Sequence, residues 1–278
     1  YHTLVSDIDL KRIKMKKAIV VAHPDDEILF FSSIIETVDE IIVCFGPSSS
    51  NEVTEGRKLL QSRYPLKNIE WLNVQESNDL SANWNNPKLT NFGIFVTRNK
   101  NEYEKNFRYL AEFFKKKLAE YDVVYTHNPW GEYGHEEHIS VFKAVCSATA
   151  STKTAVYVSS YISDRSKKVF DSQKALLGSE LVVGSIPTSL CESIKRLYIA
   201  HNCWTWNDEY TWPDTELFIK IGNHSSLHKN KLQGLTANPP VMLLTESFKQ
   251  NLLRALMGRL LSPTLKKYLK RLLKGARK

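Results

Sequence analysis

Two short stretches of this 278-residue chain concentrate side chains that bind metal ions and move protons. The first is Ala22-His23-Pro24-Asp25-Asp26-Glu27, where an imidazole and three carboxylates fall within five residues. Pro24 stiffens the turn, and a His/Asp pair there can share one Zn²⁺, which accepts both nitrogen and oxygen ligands. Taken alone, the segment reads equally well as a helix start, with Asp25 or Asp26 as N-cap and Glu27 complementing the helix dipole. The second stretch runs from Thr126 to His138 and holds His127, His135 and His138, three of the eight histidines. His135 and His138 are three apart at a helix start and share one face. Gly131 and Gly134 let the backbone bend between them. A histidine pair here and a His/Asp pair after another strand favour one shared metal site over two unrelated structural clusters.

The elements that must position these side chains alternate in type. Residues 17–22 (Lys-Ala-Ile-Val-Val-Ala) form a short β-branched run, too short for a helix and apolar enough for a strand buried on both faces. A helix is expected over 27–36, a strand over 40–45, and a helix capped by Ser50 or Asn51 and running to Tyr64. A third strand covers 69–74, and 75–99 reads as a long polar loop of the kind that lines sites. Then come a helix over 102–120, a strand over 122–126, a helix over 135–148 and a strand over 155–159. After residue 160 the pattern blurs into short strands, a helix over 189–200 and a tryptophan-rich stretch. The alternation predicts an α/β, Rossmann-like three-layer fold with a mostly parallel sheet and no nucleotide-binding glycines. Ligands in such sheets bind beyond the carboxyl ends of strands, and both histidine segments directly follow a strand. The predicted layout is an N-terminal extension or remnant over 1–14, preceding a natural start at Met15, and a catalytic core over 15–160. A part completing the domain and its pocket over 161–245 and a tail over 246–278 follow.

Ala-His-Pro-Asp-Asp-Glu after an amino-terminal strand, with Gly-x-Tyr-Gly-His-x-x-His about a hundred residues later, resembles the PIG-L/LmbE metal-dependent de-N-acetylases. The resemblance covers about residues 15–160. It implies that His23, Asp26 and His138 bind zinc or another divalent metal, leaving the open fourth position of a catalytic site. It implies that Asp25 is the general base, taking a proton from the attacking water. His135 would stabilise the oxyanion or protonate the leaving amine, and Tyr133 would help polarise the acetamide carbonyl. Glu137 stands where relatives often carry an aspartate; a carboxylate there would orient His135 and raise its pKa. The implied reaction is removal of acetate from a 2-acetamido sugar, lipid-linked or part of a cell-envelope glycan precursor.

Substrate contacts are less tightly specified. Relatives often use an arginine in the helix after the second strand, which singles out Arg57; it and Arg63 read equally as solvated helix charges. Trp130 and, in the stretch 203–214, Trp204 and Trp206 are candidate stacking surfaces for a sugar. The same aromatics could instead pack a lid.

The formal charge of +8 is confined almost entirely to 262–278, which holds seven basic and no acidic residues. Leu265, Leu269, Leu272 and Leu273 recur there at helical spacing, so the tail reads as a basic amphipathic helix, lying on an anionic membrane or packing its leucines on the body. The nearly neutral body and the lack of interleaved stacking aromatics in the tail argue against nucleic acid. Four scattered cysteines form neither a disulfide framework nor a metal site. No signal peptide and no apolar run of about 18 residues is present, which places the expected setting in the cytoplasm, at most peripheral to the membrane. Two other functions remain open: an amidase on another amide conjugate, and a membrane-surface or nucleic-acid-binding module with a vestigial metal site.

Overall fold

A computed structural model describes residues 15–222 and 239–244. The expected extension over 1–14 and the basic helix over 246–278 lie outside the described residues. In chain order the elements are β1 (Lys17–Val21), α1 (Asp26–Phe30), β2 (Glu40–Phe45), α2 (Asn51–Gln61), β3 (Ile69–Val74), β4 (Leu89–Thr90) and β5 (Gly93–Ile94). They continue with α3 (Lys100–Lys117), β6 (Val123–Thr126), α4 (Glu136–Thr149), β7 (Ala155–Ser159), β8 (Tyr161–Ile162) and α5 (Lys167–Gln173). β9 (Leu177–Ser185), α6 (Thr188–Ala200), β10 (Thr215–Ile221) and β11 (Met242–Leu243) complete them.

Seven strands form one sheet in the order β3-β2-β1-β6-β7-β10-β9. The first five pair in parallel, and β10 joins β7 and β9 antiparallel. The strand alternation sorts the central side chains into two cores. Ala18, Val20 and Ala22 pack with Leu110, Phe114 and Phe142 of α3 and α4 on one face. Ile19 and Val21 pack with Ile28, Leu60, Ile194 and Tyr198 of α1, α2 and α6 on the other. The result is the expected α/β three-layer arrangement. β9 and β10 extend that same sheet, so the chain after residue 160 completes the layer that holds β1 and β6.

Helix α1 is shorter than the periodicity predicts. It ends at Phe30, and a 3₁₀ turn over Ser32–Ile34 follows. Serines compete with the backbone ladder: the Ser32 hydroxyl donates back to the Ile28 carbonyl, and the Ser33 N–H leaves the helix for the Glu216 carboxylate on β10, at 2.8 Å. The long polar loop also carries more structure than its composition suggests, since β4 and β5 form a small antiparallel hairpin within it.

Glu216 is 1% exposed, and burial pushes its carboxyl up to about 7 from an ordinary 4.5. Between those two values the folded chain keeps a proton that the unfolded chain releases, so this group lowers stability as pH rises through the window and adds no further change above it. Glu216→Gln should therefore flatten the fall of the thermal midpoint between about pH 4.5 and 7. An unchanged slope by calorimetry would remove Glu216 from the pH dependence.

Candidate metal centre

β1 and β6 are neighbours in register, Val20 opposite Thr126. Parallel pairing therefore brings the loop after β1 against the loop after β6. In the first loop, Asp25 adopts φ 97°, a left-handed conformation that costs a non-glycine residue about 1–3 kcal/mol. Several bonds hold it there. Its N–H lies 2.9 Å from both the Glu27 carboxylate and the Tyr198 hydroxyl, while the hydroxyls of Tyr64 and Tyr198 donate to the other Glu27 oxygen at 2.7 Å. In the second loop, Gly131 has φ 67°, and a Cβ there would meet the His135 carbonyl oxygen at 2.5 Å, so glycine is required.

The side chains of the two loops converge. The Asp26 Oδ2 atom lies 3.3 Å from each of His23 Nδ1, His127 Nε2 and His138 Nε2. A tetrahedral ion with ligands at 2.0–2.1 Å spaces those ligands at roughly 3.3–3.4 Å, so the separations fit one cation. Two three-residue sets have their ligand atoms within 4.8 Å of one another: His23, His135 and His138, and Asp26, His127 and His138. His138 belongs to both. Its Nδ1 bonds the Glu132 carboxylate at 2.7 Å, and its Nε2 is buried without a hydrogen-bond partner. An orphaned imidazole nitrogen facing a carboxylate is the arrangement a metal ligand needs. His127 is less suited, because its Nε2 lies 2.8 Å from the Ala22 N–H and accepts from it. These residues fit a divalent metal.

Carboxylates orient the imidazoles. Burial alone would raise Glu132, but His127 and His138 hold its carboxyl down at about 2. Burial likewise opposes ionisation of Asp26, yet His138 and the other two imidazoles keep it well below the usual carboxylate range. His23 is driven the other way. Its desolvation is outweighed by Asp26 and Glu137, which lift it to about 10. The cluster is built to hold positive charge.

Asp25 sits beside it, 2% exposed. Burial, then the neighbouring Asp26 charge, pushes its carboxyl up to about 8. Its Oδ2 accepts from the Thr205 N–H at 3.1 Å and the Thr205 hydroxyl at 2.6 Å, which fixes the carboxylate beside the cluster. Tyr133 stands at the half-buried mouth with its ring 5.7 Å from His135 and 5.2 Å from His138.

Glu137 does not orient His135 as expected. Its carboxylate bonds His23 Nε2 at 2.8 Å and accepts from Ser77, because the first turn of α4 points that side chain toward β1. His135 is instead the N-cap of α4, its Nδ1 accepting the Glu137 N–H. Its pKa is lowered rather than raised, through burial and the nearby His23 and His138.

The expected substrate contacts divide. Trp130 offers no face to a substrate: it is fully buried, its ring packs on Phe170 and its indole N–H donates to the Tyr161 carbonyl. Arg57 is not a solvated helix charge. It is 3% exposed, bonded to Glu76 and the Gly46 carbonyl, and its charge reaches Asp25. Arg63 is exposed at the end of α2. Trp206 is buried with its ring 5.0 Å from Tyr133, and the half-buried Trp204 packs against Tyr198. The sequence reading gave no role to His127, Glu132, Thr205 or Tyr198. For His127 the signal was there, since it follows β6 as closely as His23 follows β1.

The fold and site define a Rossmann-like α/β protein with a candidate divalent-metal centre at the carboxyl ends of β1 and β6. Residues 18–149, a little under half of the chain, match the family model described as PIG-L, GlcNAc-PI de-N-acetylase. An uncharacterized protein of Acanthamoeba polyphaga mimivirus is 28% identical over 145 residues, 47% of this chain. The match spans 56% of that protein's length. Among solved structures, two of a deacetylase from the teicoplanin biosynthesis pathway, one with teicoplanin and one with bog, align at 10% and 11% identity with TM-scores of 0.45 and 0.48. Each alignment covers 74% of this chain and 98% of the other.

Proposed function

We propose that this protein is a zinc-dependent N-deacetylase that removes acetate from a 2-acetamido sugar. The observation that carries the reading is the unpartnered His138 Nε2 facing Asp26, with Asp25 clamped beside it. His23, Asp26 and His138 would hold the metal, a donor set of two imidazoles and one carboxylate that suits Zn²⁺ better than the all-oxygen sites preferred by Mg²⁺ or Ca²⁺. The ion would supply Lewis acidity and a water that ionises near neutral pH. Asp25 Oδ1 takes the proton of the attacking water, while Thr205 fixes the other carboxylate oxygen. His135, kept neutral, and Tyr133 would orient the acetamide and donate to the oxyanion, and the proton that Asp25 takes from water would pass to the leaving amine as the C–N bond breaks. The family description, GlcNAc-PI de-N-acetylase, supports a glucosamine-type substrate.

The test is metal analysis of the purified chain combined with mass-spectrometric screening of free, nucleotide-linked and lipid-linked N-acetylhexosamines for exchange of an acetyl group for hydrogen. About one zinc per chain and acetate release are expected. A metal-free chain inert on every such sugar, yet bound through 262–278 to anionic vesicles or RNA, would mean a binding module with a vestigial site. Binding of active enzyme to anionic vesicles but not neutral ones would support a peripheral membrane setting for that basic tail. No helix among the described residues is long and apolar enough to cross a membrane.

A further inference from the structure

We propose that the end of α6 and the turn after it, residues 198–205, form a clamp on Asp25, in which Tyr198 and Thr205 are positioning residues for the base. That Asp25 acts as a base rests on the deacetylase reading above. The clamp comes from a different part of the chain than the group it holds. Asp25 and the candidate ligands fall within 18–149, the stretch that matches the family model, and residues 198–205 lie outside it.

Asp25 needs holding at two places. Its backbone takes φ 97°, a conformation that a residue with a Cβ keeps only where its surroundings over-determine it. Its carboxylate must also stay within hydrogen-bond reach of the proton it takes, so a small rotation is costly. Tyr198 answers the first need. Fully buried, its hydroxyl accepts from the Asp25 N–H at 2.9 Å and donates to the Glu27 carboxylate at 2.7 Å. Tyr64, just past α2, donates to the same Glu27 oxygen at 2.7 Å and keeps that carboxylate from turning. A buried tyrosine needs one partner for its hydroxyl; Tyr198 has two, and both lie in the turn that carries Asp25. Thr205 answers the second need, since its N–H and its hydroxyl both donate to Asp25 Oδ2.

The two holding points belong to one braced turn. Between them the chain reverses through Asn202 at φ 54°, and the Cys203 N–H closes the reversal on the Tyr198 carbonyl at 3.0 Å. Helix α2 backs it. A Cβ on Gly56 would meet the His201 carbonyl oxygen at 2.0 Å, so glycine lets the helix press against the turn. Tyr198 and Thr205 are thereby fixed relative to each other, and Asp25 is gripped by backbone and side chain together.

The zinc-loaded, full-length protein should be compared with Tyr198→Phe, Thr205→Val and Thr205→Ser on N-acetylglucosamine and N,N′-diacetylchitobiose. Tyr198→Phe and Thr205→Val each delete a hydroxyl with little change of shape. Each should lower kcat about ten-fold, the effect of one lost hydrogen bond at the reacting group, with KM and zinc stoichiometry unchanged. Thr205→Ser keeps the hydroxyl and should hold kcat within about two-fold of the parent. In an Asp25→Asn background, residues that act through the Asp25 carboxylate should cost less than about two-fold, which closes a double-mutant cycle. An undiminished loss in that background, a loss of zinc, a rise in KM without a fall in kcat, or full activity in Tyr198→Phe and Thr205→Val would each overturn the clamp. If the parent turns over neither sugar, the deacetylase reading falls, and amide hydrogen exchange at Asp25 decides the clamp. Exchange should then be about ten-fold faster in Tyr198→Phe than in the parent, and equal rates would overturn it.

Discussion

His138→Ala should leave a folded chain that no longer retains metal and no longer releases acetate. The imidazole is fully buried, with Nδ1 on Glu132 and Nε2 facing Asp26, so the substitution removes a metal donor together with one hydrogen bond to Glu132, whose carboxylate keeps His127, the Asn128 N–H and Ser159 as partners. Alanine is favourable in the first turn of α4, and circular dichroism should report native helix content. Glu132→Gln gives a graded comparison. It removes the charge that fixes His138 and His127 while keeping an acceptor, and loss of such an outer partner weakens metal affinity about 10–100-fold. His138→Ala should cost more than that in a zinc-competition titration. His127→Ala separates the two possible ligand sets: with Nε2 accepting from Ala22, His127 should affect metal content far less than His138. Wild-type zinc affinity in His138→Ala would refute the assignment.

Asp25→Asn should retain its metal but lose about 10² to 10⁴ in kcat, the range expected when a general base is removed. Asparagine is the informative replacement. It preserves shape, and it tolerates the left-handed backbone that Asp25 adopts at φ 97°, where alanine would add strain to the turn holding His23 and Asp26. The amide oxygen can still accept from Thr205, so the loop should stay in place. The side chain can no longer take a proton from water. KM should change little, because Asp25 is assigned to the transition state and not to sugar binding. Unchanged zinc stoichiometry with turnover within about two-fold of the parent would assign the base elsewhere.

Much of this architecture was legible from the chain alone, because period-two and 3.6-residue patterning is a local property. The strands Glu40–Phe45, Ile69–Val74 and Ala155–Ser159 are found where the β-branched runs predict them. Helices α3, α4 and α6 begin within two residues of expectation. The two candidate metal-binding segments were legible for the same reason: each is a compact cluster of side chains able to ligate a metal, directly after a strand. Helix α1 stops short of its predicted length because its end depends on Glu216, far along the chain, drawing the Ser33 N–H away.

What the sequence by itself determined is thus the set of elements, the alternation that makes a parallel sheet, and the candidate ligands at two strand ends. Tertiary structure alone decided that β1 and β6 are adjacent, so that His138 meets Asp26. It turned Glu137 to His23 and not to His135, and set Thr205 against Asp25. It also packed Trp130 on Phe170, away from the cluster, and Trp206 against Tyr133 beside it. Strand order and side-chain direction across a sheet arise from which surfaces pack together over separations of a hundred residues or more. No local periodicity carries that information, and a carboxylate or an indole reads the same in sequence whichever neighbour the packing supplies.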